Sequence, residues 1–268
     1  MKGAWIQGEP VFAIKVASGF YRNTELGLPT GSGLVLVFDA STGFPLALLQ
    51  DKGYLTEVRT GAAGALATKL LAPEKPLTVS VLGAGSQARY QLRAIAGVRQ
   101  LNELRVWSPV PGEVRAYAEE MAPVLGIPVL GADSPGSAVA GADLVVTVTP
   151  AREPILRLEW LKRGATVVAV GSDGPEKQEL EVEILVAAEK VVVDSRIQCL
   201  RLGETHHAVS SGVLSPEDIH GELGDVLLGT CSGREGEELI VCDLTGVGAQ
   251  DAAVAGAVWS RLPRSSVA

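Results

Sequence analysis

One stretch of this sequence limits the possible folds more than any other: the apolar run Leu77–Leu82 leads into a glycine turn and then into a helical pattern. The turn has the spacing G-x-G-x-x-A, and a strand, this turn and a helix form the arrangement that binds a dinucleotide pyrophosphate. The first glycine permits a tight turn, the second leaves space for a phosphate, and free N–H groups at the helix N-terminus attract the anion. A glycine turn in any parallel βα unit is the alternative, but the flanking strand and helix favour a dinucleotide site. The predicted cofactor contacts in the turn are Gly83, Gly85, Ser86, Gln87 and Ala88.

The composition narrows the class of protein further. The chain has 268 residues, of which 47% are hydrophobic, so it can bury a large core in one large domain or two smaller ones. Its net charge of −8 argues against a nucleic-acid partner, because such partners usually require a basic face. We therefore expect a small-molecule ligand.

Cysteine and histidine usage predicts a cytoplasmic protein without a metal. Cys199, Cys231 and Cys242 are widely spaced and lie outside any C-x-x-C pattern, which indicates neither a disulfide framework nor a zinc site. His206 and His207 are adjacent and have no partner at the spacing of metal ligands on a helix.

The N-terminus lacks the apolar segment of a signal peptide, and no run of about 18 apolar residues could span a membrane.

The order of the apolar patterns predicts an α/β protein with two kinds of sheet. Three β-type runs joined by short turns, at Pro10–Phe20, Gly33–Ala40 and Pro45–Gln50, indicate an antiparallel sheet. A helical pattern follows over Tyr54–Ala72. From residue 77 to residue 195, apolar strands alternate with amphipathic segments, and this alternation predicts a doubly wound parallel sheet, the Rossmann fold.

The alternation ends after Ser195, and this change predicts a discontinuous domain. Helical patterns and a single apolar strand, Glu238–Asp243, follow, and we expect that strand to return to the N-terminal sheet. The predicted domains are a dinucleotide-binding Rossmann domain over residues 76–195 and an antiparallel α+β domain over residues 1–75 with 196–268. The second of these would bind substrate and form a dimer.

Two charged residues are candidate catalytic residues because of their places in this pattern. Lys15 interrupts an apolar strand, and because an unpaired buried ammonium is costly, it must reach a ligand pocket, a paired carboxylate or a sheet edge. Asp173 lies just past the carboxyl end of a parallel strand, where ligands bind and where a carboxylate can exchange protons with a substrate. An Asp followed by Gly-Pro is also a common turn former.

Further positions bear on the cofactor. An acid at the end of the second Rossmann strand would favour NAD, but Ser108 stands there, so no carboxylate repels the 2′-phosphate of NADP. No Arg directly follows it to bind that phosphate, so the sequence favours NADP only slightly. A Ser108 that merely starts a turn fits the sequence equally well. Arg59, next to Thr60 in the helix before the glycine strand, can turn back onto a pyrophosphate or can be a solvated helix residue.

Collinear blocks of the sequence, taken together, resemble the ornithine cyclodeaminase/mu-crystallin family over nearly the whole chain. The blocks are FAIKVASGF (12–20), LGLPTGSG (26–33), LTEVRTGAAGALATKLLA (55–72), VLGAGSQA (81–88), ADLVVTVT (142–149), VAVGSDGPEKQEL (168–180), VVVDS (191–195) and DLTGVGAQD (243–251). The resemblance implies an NAD(P)-binding Rossmann domain, a substrate domain built from both ends of the chain and a homodimer joined through the sheet of that domain. It also implies hydride transfer at the carbon that bears an amino acid's nitrogen.

The resemblance implies a role for each matched residue. Lys15 matches the lysine that binds the substrate carboxylate, and Asp173 matches the catalytic acid/base. Arg59 and Thr60 match contacts to the pyrophosphate. The other implied cofactor contacts are Ser108 at the ribose, Thr147, Val148 and Thr149 along the cofactor, and Thr245 and Gly246 over the nicotinamide.

One departure from the family pattern concerns the start of the chain. The resemblance implies a longer segment before the lysine, with an arginine for the substrate carboxylate and acidic residues near the distal amine of the substrate. Here fourteen residues precede Lys15. The chain is therefore either shortened at its start codon or has lost those contacts, and in either case we expect part of the first sheet to be missing.

Three functions are compatible with these residues. The first is an NAD(P)-dependent reductase or dehydrogenase of an imine/amino-acid pair. The second is cyclodeamination, in which tightly bound NAD⁺ oxidises an α-amine and the same hydride later returns. The third is a non-enzymatic dinucleotide-binding protein of crystallin type, and the presence of Asp173 argues against it.

Overall fold

The computed structural model describes residues 1–110 and 112–262. The strands and helices of these residues are, in chain order, β1 (Lys2–Trp5), β2 (Val11–Gly19), β3 (Gly31–Asp39), β4 (Pro45–Leu49), α1 (Tyr54–Leu71), β5 (Leu77–Leu82), α2 (Ser86–Ala96), β6 (Leu101–Trp107), α3 (Glu113–Leu125), β7 (Val129–Gly131), α4 (Pro135–Val139), β8 (Leu144–Thr147), β9 (Thr166–Ala169), α5 (Val182–Ala187), β10 (Lys190–Val193), α6 (Arg196–Cys199), α7 (Glu204–Ser210), β11 (Gly221–Glu222), α8 (Leu223–Leu228), β12 (Ile240–Asp243) and α9 (Gly248–Trp259). Short 3-10 turns cover Tyr21–Leu26, Leu158–Trp160 and Pro216–Asp218. None of the described helices is both long enough and apolar enough to cross a membrane.

The chain forms two compact units, which we call the first and the second unit. The first unit comprises residues 1–60 and the chain from Gly246 onward, and the second comprises residues 61–245. The first contains a four-stranded antiparallel sheet and the second an eight-stranded parallel sheet, so the predicted α/β fold class is confirmed. The assignment of functions to residues 76–195 and to residues 1–75 with 196–268 stays a prediction.

In the first unit, helix α9 covers one face of the antiparallel sheet. The strands follow the order β1-β2-β3-β4, and alternate residues of β2 and β3, such as Val11 and Val37, point to the helix. Ala252 and Ala255 of α9 pack against them. These small residues let the helix lie close to the strands, and a Cβ at Gly248 would come within 2.7 Å of the carbonyl oxygen of Gly3.

The other face of this sheet is also apolar. The rings of Phe12 and Phe38 stack with their centroids 4.9 Å apart, and Ile14 pairs with Leu36 in the neighbouring row. All of these four side chains are only partly buried. This outer face of the first sheet is therefore an apolar surface, and the described residues of the first unit do not cover it.

In the second unit, the strand order contains a change of direction. The order is β11-β10-β12-β9-β8-β5-β6-β7, so the chain runs outward from β5 through β6 and β7 and then returns to β8 on the other side of β5. Both faces of this sheet are buried, because alternate residues such as Val145 and Val146 enter separate hydrophobic cores. A change of direction of this kind opens a crevice beyond the carboxyl ends of the two central strands.

The prediction for the strand at Glu238–Asp243 was wrong. Strand β12 does not join the N-terminal sheet but lies between β9 and β10, with Ile240 opposite both Thr166 and Lys190. All four of its residues are buried, as in a central strand of a parallel sheet. A short apolar run without alternation does not reveal which sheet it joins, and here long-range pairing decides.

Candidate active site

The glycine turn lies at the point where the strand order changes direction. Gly83 follows β5 with a φ of +116°, and a Cβ there would lie 2.7 Å from the carbonyl oxygen of Val148. The amide of Val148, just after β8, donates to the carbonyl oxygen of Leu82 at 2.9 Å. The close approach of these two segments therefore requires a residue without a side chain at position 83.

Helix α2 begins directly after this turn and offers its amino end to an anion. Gly85 is the residue before the first turn, and no side chain of the described residues caps the helix there. The space beside Gly85 is open, since a Cβ there would meet no atom within 4 Å, and Ser86 is exposed. Ala88 lies on the fully buried side of the helix. Gln87 accepts a hydrogen bond from Gln91 at 3.1 Å. The helix dipole and the backbone N–H groups at this end suit a pyrophosphate, and this contact stays a prediction.

Ser108 follows β6, and its hydroxyl forms a hydrogen bond to an acid, Glu113. Its Oγ donates to Oε2 of Glu113 at 2.7 Å and accepts a hydrogen bond from the amide of Val110 at 3.2 Å. Sequence reasoning sought an acid only at the end of the strand and therefore missed Glu113, which lies in the first turn of α3. A carboxylate at this place can accept a hydrogen bond from a ribose hydroxyl and would repel a 2′-phosphate.

Thr149, one of the three residues predicted to line the cofactor after β8, contacts a buried acid, Glu179. Thr147 ends β8 in a buried position, and Thr149 donates to Oε1 of Glu179 through its amide at 2.5 Å and its hydroxyl at 2.8 Å. The amide of Gly171 donates to Oε2 at 2.9 Å. Burial raises the pKa of Glu179 to about 7, although its hydrogen-bond donors act in the opposite direction. Sequence reasoning missed Glu179, although it lies in the family block at residues 168–180.

Asp173 lies in the loop after β9, at the same carboxyl edge of the parallel sheet as the glycine turn. Its side chain is 59% exposed, and its Oδ1 lies 2.6 Å from Nζ of Lys177. Its amide donates to the carbonyl oxygen of Gly171 at 3.1 Å. An exposed carboxylate with an ammonium beside it can exchange a proton with a bound molecule.

Thr245, the predicted nicotinamide contact after β12, lies at this edge too. Its hydroxyl donates to Oδ1 of Asp194 at 2.9 Å and accepts a hydrogen bond from Nε2 of Gln198 at 2.8 Å. The side chain is almost fully buried. The second unit therefore brings together, beyond its strand ends, the glycine turn, Ser108, Thr147–Thr149, Asp173 and Thr245.

In the first unit, two cations share one buried carboxylate. Nζ of Lys15 lies 2.8 Å from Oδ1 of Asp251, and Nε of Arg59 lies 3.1 Å from the same oxygen. Arg59 also donates through Nη1 to Oε1 of Gln250 at 3.0 Å. Lys15 is 4% exposed and Asp251 1% exposed. Of the alternatives left open by the sequence, the structure gives Lys15 a paired carboxylate, and Arg59 is not a solvated helix residue.

This Lys15–Arg59–Asp251 cluster carries more positive than negative charge. Burial and the nearby guanidinium of Arg59 lower the pKa of Lys15, and the hydrogen bond to Asp251 acts in the opposite direction. Lys2 adds to the lowering, and its Nζ donates to the carbonyl oxygen of Gly246. A buried excess of positive charge favours an anionic ligand such as a carboxylate or a phosphate.

The two remaining predicted contacts lie next to this cluster. Gly246 has a φ of +75°, which favours glycine, and a Cβ there would lie 2.5 Å from Nη1 of Arg59, so a side chain would displace that guanidinium. Thr60 follows Arg59 in α1, and its hydroxyl donates to the carbonyl oxygen of Thr56 at 2.7 Å. Sequence reasoning missed Asp251, although it closes the last block of the family resemblance.

Fold and strand-end geometry together define a dinucleotide-binding protein of the Rossmann class. The sequence model of the ornithine cyclodeaminase/mu-crystallin family matches residues 4–266. The chain belongs to this family.

Proteins similar to this chain include both cyclodeaminases and dehydrogenases. An uncharacterized cyclodeaminase from Sinorhizobium fredii is 41% identical over 99% of this chain and 81% of its own length. The structure of an archaeal alanine dehydrogenase dimer with bound NAD has a TM-score of 0.89 and 35% identity, over 97% of this chain and 81% of that one. The structure of a Thermococcus litoralis Δ1-pyrroline-2-carboxylate reductase with NADH and L-proline has a TM-score of 0.87 and 31% identity, over 99% of this chain and 88% of that one.

The shared carboxylate of Asp251 generates a stability prediction. We expect Asp251→Asn to lower the free energy of unfolding by about 3–5 kcal/mol, because it leaves two buried cations without a counter-ion. Urea unfolding of the variant and of the exposed control Asp133→Asn measures this. Equal losses in the two variants would contradict the prediction.

Proposed function

We propose that this protein is an NAD(P)-dependent oxidoreductase that acts on the C–N bond of an amino acid or an imine. The observation that carries the proposal is that Asp173, the proposed proton donor, lies at the same strand-end edge as the glycine turn and Thr149, a proposed cofactor contact. The similarity to an alanine dehydrogenase and to a Δ1-pyrroline-2-carboxylate reductase supports the same chemistry.

The proposed domains divide the work. Residues 76–195 bind the dinucleotide, since they include the glycine turn and the uncapped start of α2. Residues 1–75 with 196–268 bind the substrate, since they include the positively charged cluster around Lys15.

Each proposed catalytic residue has a defined task in the direction of reduction. Lys15 binds the substrate carboxylate through its charge, and the excess positive charge of its cluster supports this role. Asp173 supplies the proton that the substrate nitrogen gains. The Gly83 turn and residues Thr147–Thr149 would hold the dinucleotide, and its nicotinamide would supply the hydride for the imine carbon. Orientation of the reacting groups by fixed loops accounts for a large part of the rate.

Cyclodeamination is the second candidate, and the similarity to a cyclodeaminase from Sinorhizobium fredii favours it. The two reactions differ in what happens to the cofactor. A reductase consumes NAD(P)H, because the hydride stays in the product, whereas a cyclodeaminase returns the hydride and leaves its cofactor unchanged after each cycle.

We predict net oxidation of NAD(P)H with a panel of cyclic imines, and of α-keto acids with ammonia or methylamine, followed at the nicotinamide absorbance. Asp173→Asn should lower the rate roughly 10²–10⁴-fold while it preserves cofactor binding, because proton transfer is lost. Glu176→Gln, an exposed acid of the same loop, is the matched control.

Two outcomes would contradict this reading. Conversion of ornithine to proline and ammonia with catalytic NAD⁺ and no accumulated NADH would identify the cyclodeaminase. Full turnover by Asp173→Asn would exclude the proposed proton donor for either reaction.

The preference between the two cofactors is a separate proposal. The slight preference for NADP rests on Ser108, which carries no charge, while the carboxylate of Glu113 at 2.7 Å from it acts against a 2′-phosphate. We propose that NADPH is accepted and that Glu113 limits its affinity.

Glu113→Gln should therefore raise the affinity for NADPH relative to NADH by about 1–3 kcal/mol, through loss of charge repulsion. Calorimetric titration of both cofactors into the native protein and the variant measures the ratio, with Glu119→Gln on the exposed side of α3 as control. An unchanged ratio would place Glu113 away from the ribose, and a native protein that prefers NADH more than tenfold would argue against the NADP preference.

The proposed location is the cytoplasm and the proposed assembly a homodimer. All three cysteines are free thiols, which fits a reducing compartment. The outer face of the first sheet, with its stacked Phe12 and Phe38, suits a second copy of the chain. The dimer of the similar archaeal alanine dehydrogenase supports this assembly.

We expect a dimer in sedimentation equilibrium at micromolar concentration and a monomer for Leu36→Asp, because the variant places a charge at the centre of the outer face. Ile197→Asp, at an exposed apolar residue of the second unit, is the matched control and should stay dimeric. A native protein of one-chain mass would refute the assembly.

A further inference from the structure

The loop that carries Asp173 is closed by one buried side chain. The loop begins at Gly171, whose amide donates to Oε2 of Glu179 at 2.9 Å, and it ends at Glu179 itself. Inside the loop, the amide of Lys177 donates to the carbonyl oxygen of Gly174 at 3.1 Å, and the hydroxyl of Ser172 donates to the carbonyl oxygen of Lys177 at 2.5 Å. The position of Asp173 is therefore tied to the carboxylate of Glu179.

The same carboxylate also holds the loop after β8. Its Oε1 accepts hydrogen bonds from the amide and the hydroxyl of Thr149 at 2.5 and 2.8 Å. There is no room for a side chain between the two loops, since a Cβ at Gly171 would lie 2.3 Å from the carbonyl oxygen of Thr149 and 2.5 Å from Oε2 of Glu179. The strand β8 and its neighbour β9 thus end in loops that share one acceptor group.

Glu179 is in turn held by a second buried acid. Oε1 and Oε2 of Glu204, the first residue of α7, accept the amides of Glu179 and Leu180 at 2.8 and 3.0 Å. Oδ2 of Asp243 accepts the amide of Thr205 at 2.8 Å, and this links α7 to the end of β12. Buried acids contribute little to stability, because desolvation offsets their attraction, whereas their directed hydrogen bonds fix one arrangement of the chain.

We propose that Glu179 is a positioning residue, which holds Thr149 and the segment Gly171–Asp173 in one fixed arrangement. This inference rests on the proposed function, in which Thr149 lines the cofactor and Asp173 transfers the proton. A displacement of about 1 Å between such groups can cost on the order of 10² in rate, so the effect is read in kcat rather than in KM.

Glu179→Gln tests the proposal, because the amide places an NH₂ group against one of the N–H donors while it keeps the size of the side chain. Hydrogen–deuterium exchange without substrate should become about fivefold faster, or more, in the segments 148–152 and 170–174. Glu183→Gln, an exposed acid of α5, is the matched control and should leave both segments unchanged. Unchanged exchange in both segments of Glu179→Gln would overturn the proposal.

Kinetics separates positioning from a general loss of stability. We expect Glu179→Gln to lower kcat by roughly 10–10²-fold with less than about a threefold change in the KM of the carboxylate substrate. Ile184→Val, a trimmed core residue of the same unit, controls for destabilisation. A kcat loss no larger than that of Ile184→Val would overturn the proposal. If no substrate is turned over, the proposed function fails, and the exchange experiment still decides the role of Glu179.

A second variant covers the case in which Glu179→Gln does not fold. Thr149→Val keeps the shape of the side chain and removes one donor to Glu179. Because the two loops share this acceptor, exchange should become faster at Gly171–Asp173 as well as at residue 149. A change confined to the loop after β8 would show that Glu179 does not couple the two loops.

Discussion

The pairing of β5 with β8 is the constraint on which the rest of the candidate site depends. These strands are parallel neighbours although two strands separate them in the chain, so their following segments diverge and leave a crevice at their carboxyl ends. The backbone of Gly83 approaches the carbonyl oxygen of Val148 so closely that a side chain is excluded. A glycine at position 83 is therefore required for the packing of this turn against the segment after β8.

Around the strand ends, buried carboxyl groups accept hydrogen bonds from backbone amides. Loops lack a regular hydrogen-bond ladder, so their amides need other acceptors when they are buried. Glu179 and Glu204 supply such acceptors to the loop amides of Gly171 and Leu180, and Asp243 accepts the amide of Thr205 in the first turn of α7. Burial raises the pKa of each of these acids, which shows that the arrangement has an electrostatic cost. Such a cost is typical of regions where position matters more than stability.

In the first unit, the buried charges are cations, and a buried carboxylate pairs with them. Lys15 and Arg59 converge on one oxygen of Asp251, which makes two buried cations tolerable without neutralising both. The charge that remains can serve an anionic ligand. Dehydrogenases, reductases and cyclodeaminases all occur among similar proteins, so the fold alone does not select the reaction. The reaction is selected by the groups that contact the substrate.

The sequence alone determined the features that local patterns carry. The glycine spacing from Gly83 to Ala88 and the alternating periodicities of strand and helix are encoded within a few residues, so the parallel sheet and its phosphate turn were predictable. The collinear blocks added the places of Lys15 and Asp173. Tertiary structure alone decided which sheet β12 joins, that Asp251 is the partner of Lys15, and that Glu179 ties Thr149 to Gly171. These contacts join residues far apart in the chain, and only the folded backbone brings their side chains within hydrogen-bond distance.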